Sequence, residues 1–318
     1  MRRAAGAAAL LLLVAACSSG DPGAPPAPSS SGESTAAAAA ATEPGAVTTP
    51  EPTEAAPPPP SVTRDPLADL VEDIEVDEGP VLGADISWPQ CPPGMGIPEK
   101  RSSGQPLPVE AARYVVVGLT NGPGFYPNPC LASQVDYVRQ RGLMISAYAV
   151  ASYPEADLVA QHGQDGPYDG STAVGALANT GYQQALFNVR SMETAGLETP
   201  VVWIDVEPVP SFAWSSDLSA NAAVVAGVAR GYQDEGYRIG VYSTPALWRG
   251  VVGDLELGVP EWRAAGQTSA EEALSRCGDD WVIQGGDAVL GQWVEADRDM
   301  NLTCPGISAD LAPWFHQY

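Results

Sequence analysis

Apolar residues change their spacing twice along this 318-residue chain. Behind Arg2 and Arg3 they run from Ala4 to Ala16 with little interruption. Such a run is too short to span a bilayer as a permanent helix and has the form of a signal-peptide core. From residue 18 to about 64 the pattern vanishes. This stretch is mostly Ala, Pro, Ser, Thr, Gly and Glu, with no aromatic residue. It cannot bury enough surface to offset its ordering entropy, so the composition predicts disorder. Ala36 to Ala41 and Pro57 to Pro60 suit a spacer, part coil and part polyproline. Residues 65–79 are acidic with scattered Leu, Val and Ile, compatible with a short helix or an extended arm.

Beyond Gly79, short apolar runs alternate with helical spacing. Strands are predicted at Leu82–Ile86, Tyr114–Leu119, Leu143–Ala151, Pro200–Val206, Arg238–Ser243, Trp281–Gln284 and Val289–Val294. Helices are predicted at Leu131–Arg141, Ala173–Glu193 and Ala220–Glu235, stopped by Gly142, Gly196 and Gly236 respectively. Strands alternating with helices imply right-handed crossovers and a parallel sheet. The number of units and the length of the region fit an α/β fold closed as an irregular TIM-type β/α barrel. A doubly wound sheet is the alternative, but no Gly-x-Gly-x-x-Gly follows the first strand. The expected organisation is a leader over 1–16, a tether over 17–79 and one barrel domain over 80–318.

Charge and cysteine usage narrow the setting. The formal charge is −24, so no nucleic-acid partner is expected, and any affinity for an anionic surface must come from a specific site. Solubility alone accounts for such acidity in many exported chains. Cys17 stands where the leader should be cut, after Leu13-Val14-Ala15-Ala16. This resembles the bacterial lipobox, which implies acylation of Cys17 and an anchor on the outer face of the cell membrane. The remaining cysteines are Cys91, Cys130, Cys277 and Cys304, an even set that reads as two disulfides in an oxidising compartment. Three pairings are possible. Cys91–Cys130 with Cys277–Cys304 is favoured, because each pair joins loops expected on neighbouring strands. With two histidines and no Cys-x-x-Cys, neither a metal site nor another cofactor is expected. The chain is expected to be monomeric.

The candidate chemistry lies in carboxylates at strand ends. Asp85 sits in Gly83-Ala84-Asp85-Ile86-Ser87-Trp88, and Asp299 in Asp297-Arg298-Asp299-Met300-Asn301. The most informative segment is Val202-Trp203-Ile204-Asp205-Val206-Glu207-Pro208. Alternate side chains of a strand share a face. Trp203, Asp205 and Glu207 should therefore point into the barrel, and Val202, Ile204 and Val206 toward the helices. Carboxylates two residues apart on one strand sit on the order of 6–7 Å from each other. Like charges that close push one group to keep its proton near neutrality. Glycoside cleavage needs such a pair, one group to protonate the leaving oxygen and one to stabilise the cationic sugar. Taken singly, each acid could as well cap a helix or pair with an arginine. His162 in a Gly/Asp-rich loop and His316 near Tyr318 offer no placed base for a Ser-His-Asp or Cys-His arrangement. Asn121-Gly122-Pro123-Gly124 reads as a turn rather than a phosphate cradle.

Taken in order, these segments resemble family-25 glycoside hydrolases, the Chalaropsis-type lysozymes. That family shows a Gly-x-Asp-x-Ser strand, a central Asp-x-Glu strand and a terminal Asp-x-Asn strand. The corresponding residues are Gly83 to Ser87, Asp205-Val206-Glu207 and Asp299-Met300-Asn301, with Gly240-Val241-Tyr242-Ser243 and Gln292-Trp293 between them. The resemblance spans roughly residues 80–318. It implies a β/α barrel that cleaves the β-1,4 bond between N-acetylmuramic acid and N-acetylglucosamine in peptidoglycan. On this chain it implies Glu207 as acid/base and Asp205 as the group that steadies the substrate acetamide. Asp85 and Asp299 would then line the floor. Tyr148, Tyr242, Trp262 and Trp293 are candidates for sugar stacking or, equally, for the core. The chain departs from the family after the second strand, with Gly118-Leu119-Thr120-Asn121-Gly122 for Lys-Ala-Thr-Glu-Gly. It departs again after the third, with Tyr148-Ala149-Val150 for Tyr-His-Phe. Those departures motivate a second reading, a catalytically silent hydrolase-like domain that binds cell-wall glycan. A barrel serving a protein partner is a third.

Overall fold

The computed structural model describes residues 79–209 and 211–318. The leader, Cys17 and nearly all of the expected tether lie outside the described residues. Eight strands close into a barrel in sequence order: β1 (Leu82–Ile86), β2 (Tyr114–Gly118), β3 (Met144–Val150), β4 (Val201–Asp205), β5 (Arg238–Ser243), β6 (Glu261–Ala264), β7 (Ala288–Glu295) and β8 (Arg298–Thr303). The helices are α1 (Leu131–Arg141), α2 (Ala156–His162), α3 (Ala173–Ala195), α4 (Leu218–Asp234), α5 (Pro245–Val252) and α6 (Ala270–Ser275). Strands β1 to β7 run parallel, as expected. Strand β8 departs from the expected parallel sheet, running antiparallel to both β7 and β1. The cause is local. Ala296 and Asp297 both adopt positive φ, 49° and 56°, and two such residues turn a chain directly into a hairpin.

A second correction concerns the sixth strand. The run Trp281–Gln284 is not a strand; Asp279–Trp281 is a 3-10 turn. The sheet position is taken by β6, whose charged residues hide it from a hydrophobicity pattern. Glu261 and Arg263 form a buried ion pair at 2.7 Å. The Glu261 carboxylate accepts from the backbone N–H groups of Ile283, Gln284 and Gly286. The Arg263 guanidinium donates to the carbonyls of Arg276, Gly278 and Gly286. A buried pair is tolerated only with its remaining hydrogen bonds made, and here they hold the β6–β7 connection against the barrel.

Alternation along the strands sorts two cores. Outward residues such as Val115, Val117, Ile145, Val202, Ile204 and Val241 pack with Val135, Val138, Met192, Val225 and Val228 of the helices. Inward residues Tyr114, Val201, Trp203, Trp262 and Leu290 pack with Phe315. Large rings fit inside because inward neighbours lack side chains: a Cβ at Gly83 would overlap the Tyr114 ring, and one at Gly240 the Trp203 ring. The segment around Phe315 closes the N-terminal end of the barrel. Phe315 lies 4.2 Å from Tyr114 between ring centroids, Trp314 stacks on Trp203, and His316 exchanges two backbone hydrogen bonds with Ile145. The opposite end, where the parallel strands finish, is the mouth.

Both disulfides follow the favoured pairing, Cys91–Cys130 and Cys277–Cys304. The first ties the long β1–β2 connection to the start of α1; the second ties the segment after α6 to the end of β8. Replacing Gly240 with Ala should force the Trp203 ring to move and destabilise the barrel by roughly 1–3 kcal/mol, as overpacking does. A lower urea midpoint with an unchanged m-value would report it, and an unchanged midpoint would contradict the packing described.

Candidate functional site

Four acids meet at the mouth. Asp85 ends the inward row of β1, Asp205 ends that of β4, and Asp299 begins that of β8. Asp85 and Asp299 are cross-strand partners. Glu207 lies two residues beyond β4, with part of its surface in solvent. Its backbone is fixed: Trp214 Nε1 donates to the Glu207 carbonyl at 2.9 Å, Ser243 Oγ donates to the Val206 carbonyl at 2.6 Å, and the Val206 N–H donates to the Tyr242 carbonyl. The face assignment read from the sequence thus holds for Trp203 and Asp205, which lie inward, and for Val202, Ile204 and Val206, which belong to the outer core.

Asp85 sits at the centre of a hydrogen-bond relay. Its carboxylate accepts from Gln292 Nε2 at 3.0 and 3.3 Å and from Asn301 Nδ2 at 2.9 Å. Each amide is oriented from behind. Tyr242 donates its hydroxyl to Gln292 Oε1 at 2.8 Å, and Trp262 donates Nε1 to Asn301 Oδ1 at 2.7 Å. The oxygens being engaged as acceptors, both amide nitrogens must face Asp85. Gln292 and Asn301 are therefore site residues, though sequence reasoning treated them only as motif letters. A polar Gln inside the buried apolar run of β7 was the available signal.

Burial and mutual repulsion act together on the acids. Burial pushes the Asp85 carboxyl well above the usual range, and the charge of Asp299 adds to this. The donors Gln292 and Asn301 pull it back, and Glu207 adds a smaller upward push. Asp205 is raised well above its ordinary value by burial, then by Glu207 and Asp85. Its Oδ1 is buried without a hydrogen-bond partner, a position that favours an uncharged carboxyl. Glu207 is raised by burial and by Asp299, and lowered by Lys100. Asp299 is raised by burial from 3.8 to about 6. One mouth thus holds carboxyls able to keep protons near neutrality beside others that can be charged. Among the described residues, no group of three or more His, Cys, Asp or Glu could hold a metal ion.

The four aromatic candidates separate. Tyr148 and Tyr242 are half-buried on inward positions of β3 and β5, and burial keeps both hydroxyls protonated. Trp262 is fully buried, edge-on to Tyr148 at 5.7 Å and 4.5 Å from Tyr242. It supports the floor through Asn301 and has no open face for a sugar. Trp293 does not join the site. It follows the inward Gln292 on β7, so it points outward, where it packs with Ala273 and Met300 and donates to Glu295 at 3.0 Å. Lys100, missed entirely, comes from a connection without periodicity. The Asn121 side chain holds that segment, accepting from the Ile97 N–H at 2.6 Å and donating to the Lys100 carbonyl at 3.0 Å. The altered turn after β2 thus serves as a clamp.

Fold and site together define a β/α barrel with a carboxylate cluster at the C-terminal ends of its parallel strands, joined there by Asp299 from the start of the antiparallel β8. Residues 173–273 match the family model described as Lysozyme-like protein 1, a stretch that carries Asp205, Glu207, Tyr242 and Trp262. A curated relative, a probable GH family 25 lysozyme 4 of Dictyostelium discoideum, is 39% identical over 66 residues. That match covers 20% of this chain and 30% of the relative, so it spans less than a third of that protein. Among solved structures, a family GH25 lysozyme from Aspergillus fumigatus aligns at 17% identity over 74% of this chain and 99% of the other, with a TM-score of 0.46. A bacterial lysozyme from Streptomyces coelicolor aligns at 15% identity over 74% and 99%, with a TM-score of 0.44. The modular autolysin LytC of Streptococcus pneumoniae, solved in complex with a synthetic peptidoglycan ligand, aligns at 12% identity over 70% of this chain and 46% of its own, with a TM-score of 0.41.

An acid raised on folding binds more protons folded than unfolded, so the folded state loses stability as pH rises through the window between the two values. For Asp299 that window runs from about 4 to about 6. Asp299→Asn should therefore stabilise the barrel at pH 7 relative to pH 4, on the order of 1–3 kcal/mol compared with the parent. Denaturation midpoints at the two pH values measure this; parallel pH dependence in parent and variant would contradict it.

Proposed function

We propose that the barrel is a glycoside hydrolase acting on cell-wall glycan, a muramidase that cleaves β-1,4 bonds of peptidoglycan. The observation that carries this reading is the convergence of Asp85, Asp205, Glu207 and Asp299 from three separate strands on one mouth. Glu207, like Asp299, keeps part of its surface in solvent; its backbone is held, and its carboxyl is raised by burial and by Asp299. It donates a proton to the leaving glycosidic oxygen and recovers one from water. Asp205, deeper on the same strand, steadies the acetamide of the sugar as positive charge develops. Asp299, raised to about 6, supplies negative potential at neutral pH, and the Gln292 and Asn301 amides hold Asp85 in place beneath it. Tyr148 and Tyr242 line the sugar site. The similarity of residues 173–273 to lysozyme-like sequences supports the same reading.

The full chain works as a lipoprotein monomer in this proposal. Acylated Cys17 anchors it to the outer face of the cell membrane, and the Pro- and Ala-rich tether sets how far the barrel reaches into the wall. Glu207→Gln should lower reducing-end release from purified peptidoglycan by roughly 10²–10⁴-fold while leaving the denaturation midpoint within about 1 kcal/mol of the parent. Equal rates in parent and variant would remove Glu207 from this role. Saturable binding of wall fragments by an inactive parent would favour the silent, glycan-binding domain. Cys17→Ser should move the protein from the membrane to the soluble extracytoplasmic fraction, seen by fractionation and blotting; retention in the membrane would exclude the anchor.

A further inference from the structure

The β1–β2 connection is long, Ser87 to Arg113, and is fastened at several points. The disulfide Cys91–Cys130 pins its start to α1. Asn121 clamps Ile97 and the Lys100 carbonyl. Ser102 closes the intervening turn, exchanging hydrogen bonds with Met95 and donating to the Pro92 carbonyl. What this connection delivers to the mouth is Lys100. Its stem lies against Gly122, where an added Cβ would sit 3.3 Å from both Lys100 Cγ and a Phe212 ring carbon. Its ammonium lies 5.8 Å from the centre of the Trp88 ring. Trp88 follows β1, which carries Asp85, and Phe212 belongs to the loop of Glu207.

We propose that Lys100 is a positioning residue for Glu207: its ammonium, brought over the mouth by the β1–β2 connection, is the counter-charge that lets Glu207 release a proton among three other carboxylates. The role rests on the glycosidase reading of the same site. The groups acting on or acted on by Glu207 are Asp299 from β8, Asp85 from β1, Asp205 from β4, Tyr242 from β5 and Lys100. Of these, Lys100 is the sole cation among the described residues. It lowers the Glu207 carboxyl, while burial and Asp299 raise it. Burial in turn lowers the lysine, and the charge of Glu207 restores part of that loss. Among the described residues the Lys100 ammonium makes no ion pair or hydrogen bond, and its neighbour is the Trp88 ring. An acid/base must give up its proton in one step and regain it in the next. Among four acids with no cation, Glu207 would hold its proton more tightly.

Without the ammonium, Glu207 keeps its proton to higher pH, so the basic limb of the rate profile moves upward. The profile of kcat/KM on purified peptidoglycan should therefore shift to higher pH in Lys100→Met and return toward the parent in Lys100→Arg. A direct titration reads the same coupling without turnover: full-length protein labelled with ¹³C-carboxyl glutamate, the Glu207 resonance assigned with Glu207→Gln, followed by NMR across pH. An upward move in Lys100→Met, reversed in Lys100→Arg, supports the role. Coincident titration curves in parent and Lys100→Met overturn it. If the parent releases no reducing ends, the glycosidase reading fails on its own account, and the titration still decides whether Lys100 sets the charge of Glu207.

Discussion

A carboxylate taken into the end of a barrel must find donors, and Asp85 finds two side-chain amides. The relays from Trp262 through Asn301, and from Tyr242 through Gln292, converge on it from β6, β8, β5 and β7. Hydrogen bonds to a charged group contribute more than neutral ones, and an unmade one costs about 1–3 kcal/mol or more. The donors also explain why rings occupy the interior. Trp262 lies where its indole N–H reaches Asn301, and Trp203 lies beneath Asp205 with its own N–H on Ser146. Gly240 gives Trp203 its space, just as Gly83 gives Tyr114 its own. Sheet closure, aromatic packing and acid placement are one arrangement seen at three depths.

The elements that apolar periodicity can report were legible in the chain. Helix α1 runs from Leu131 to Arg141 as its spacing predicts, and Gly142 ends it in the left-handed region. The inward and outward faces of β4 also follow from alternation. Strand β6 was not legible, because two of its four residues are Glu261 and Arg263, whose charges satisfy each other only in three dimensions. Strand β8 was read as part of a motif, but its direction depended on the turn at Ala296 and Asp297. At the site, the acids stood out because Asp85 and Asp205 lie at the ends of apolar strands, with Glu207 two residues on from Asp205 and Asp299 in a motif beside Asn301. Trp293 was misplaced by one step of the alternation, which Gln292 decides. Lys100 could not be found from spacing, since a disulfide and the Asn121 clamp set its position.

The mouth is built against stability. Burial raises all four carboxyls, and each rise means that the charged form weakens the fold. Asp205 goes further, with an oxygen buried and unpartnered. Strain of this kind persists where surrounding structure over-determines it. Here the buried Glu261–Arg263 pair, two disulfides and the Phe315 closure supply that surrounding rigidity.

The hairpin between β7 and β8 has a further consequence. Six strands, β1 to β6, leave the mouth through connections that carry helices or loops, and the β1–β2 and β4–α4 segments rise beside the acids. On the remaining side the chain turns back within Ala296 and Asp297, directly above Asp299. The rim is therefore uneven, tall on one flank and cut down to two residues on the other. The low bank is also where Asp299 keeps part of its surface in solvent, while Asp85 and Asp205 stay buried beneath the taller side.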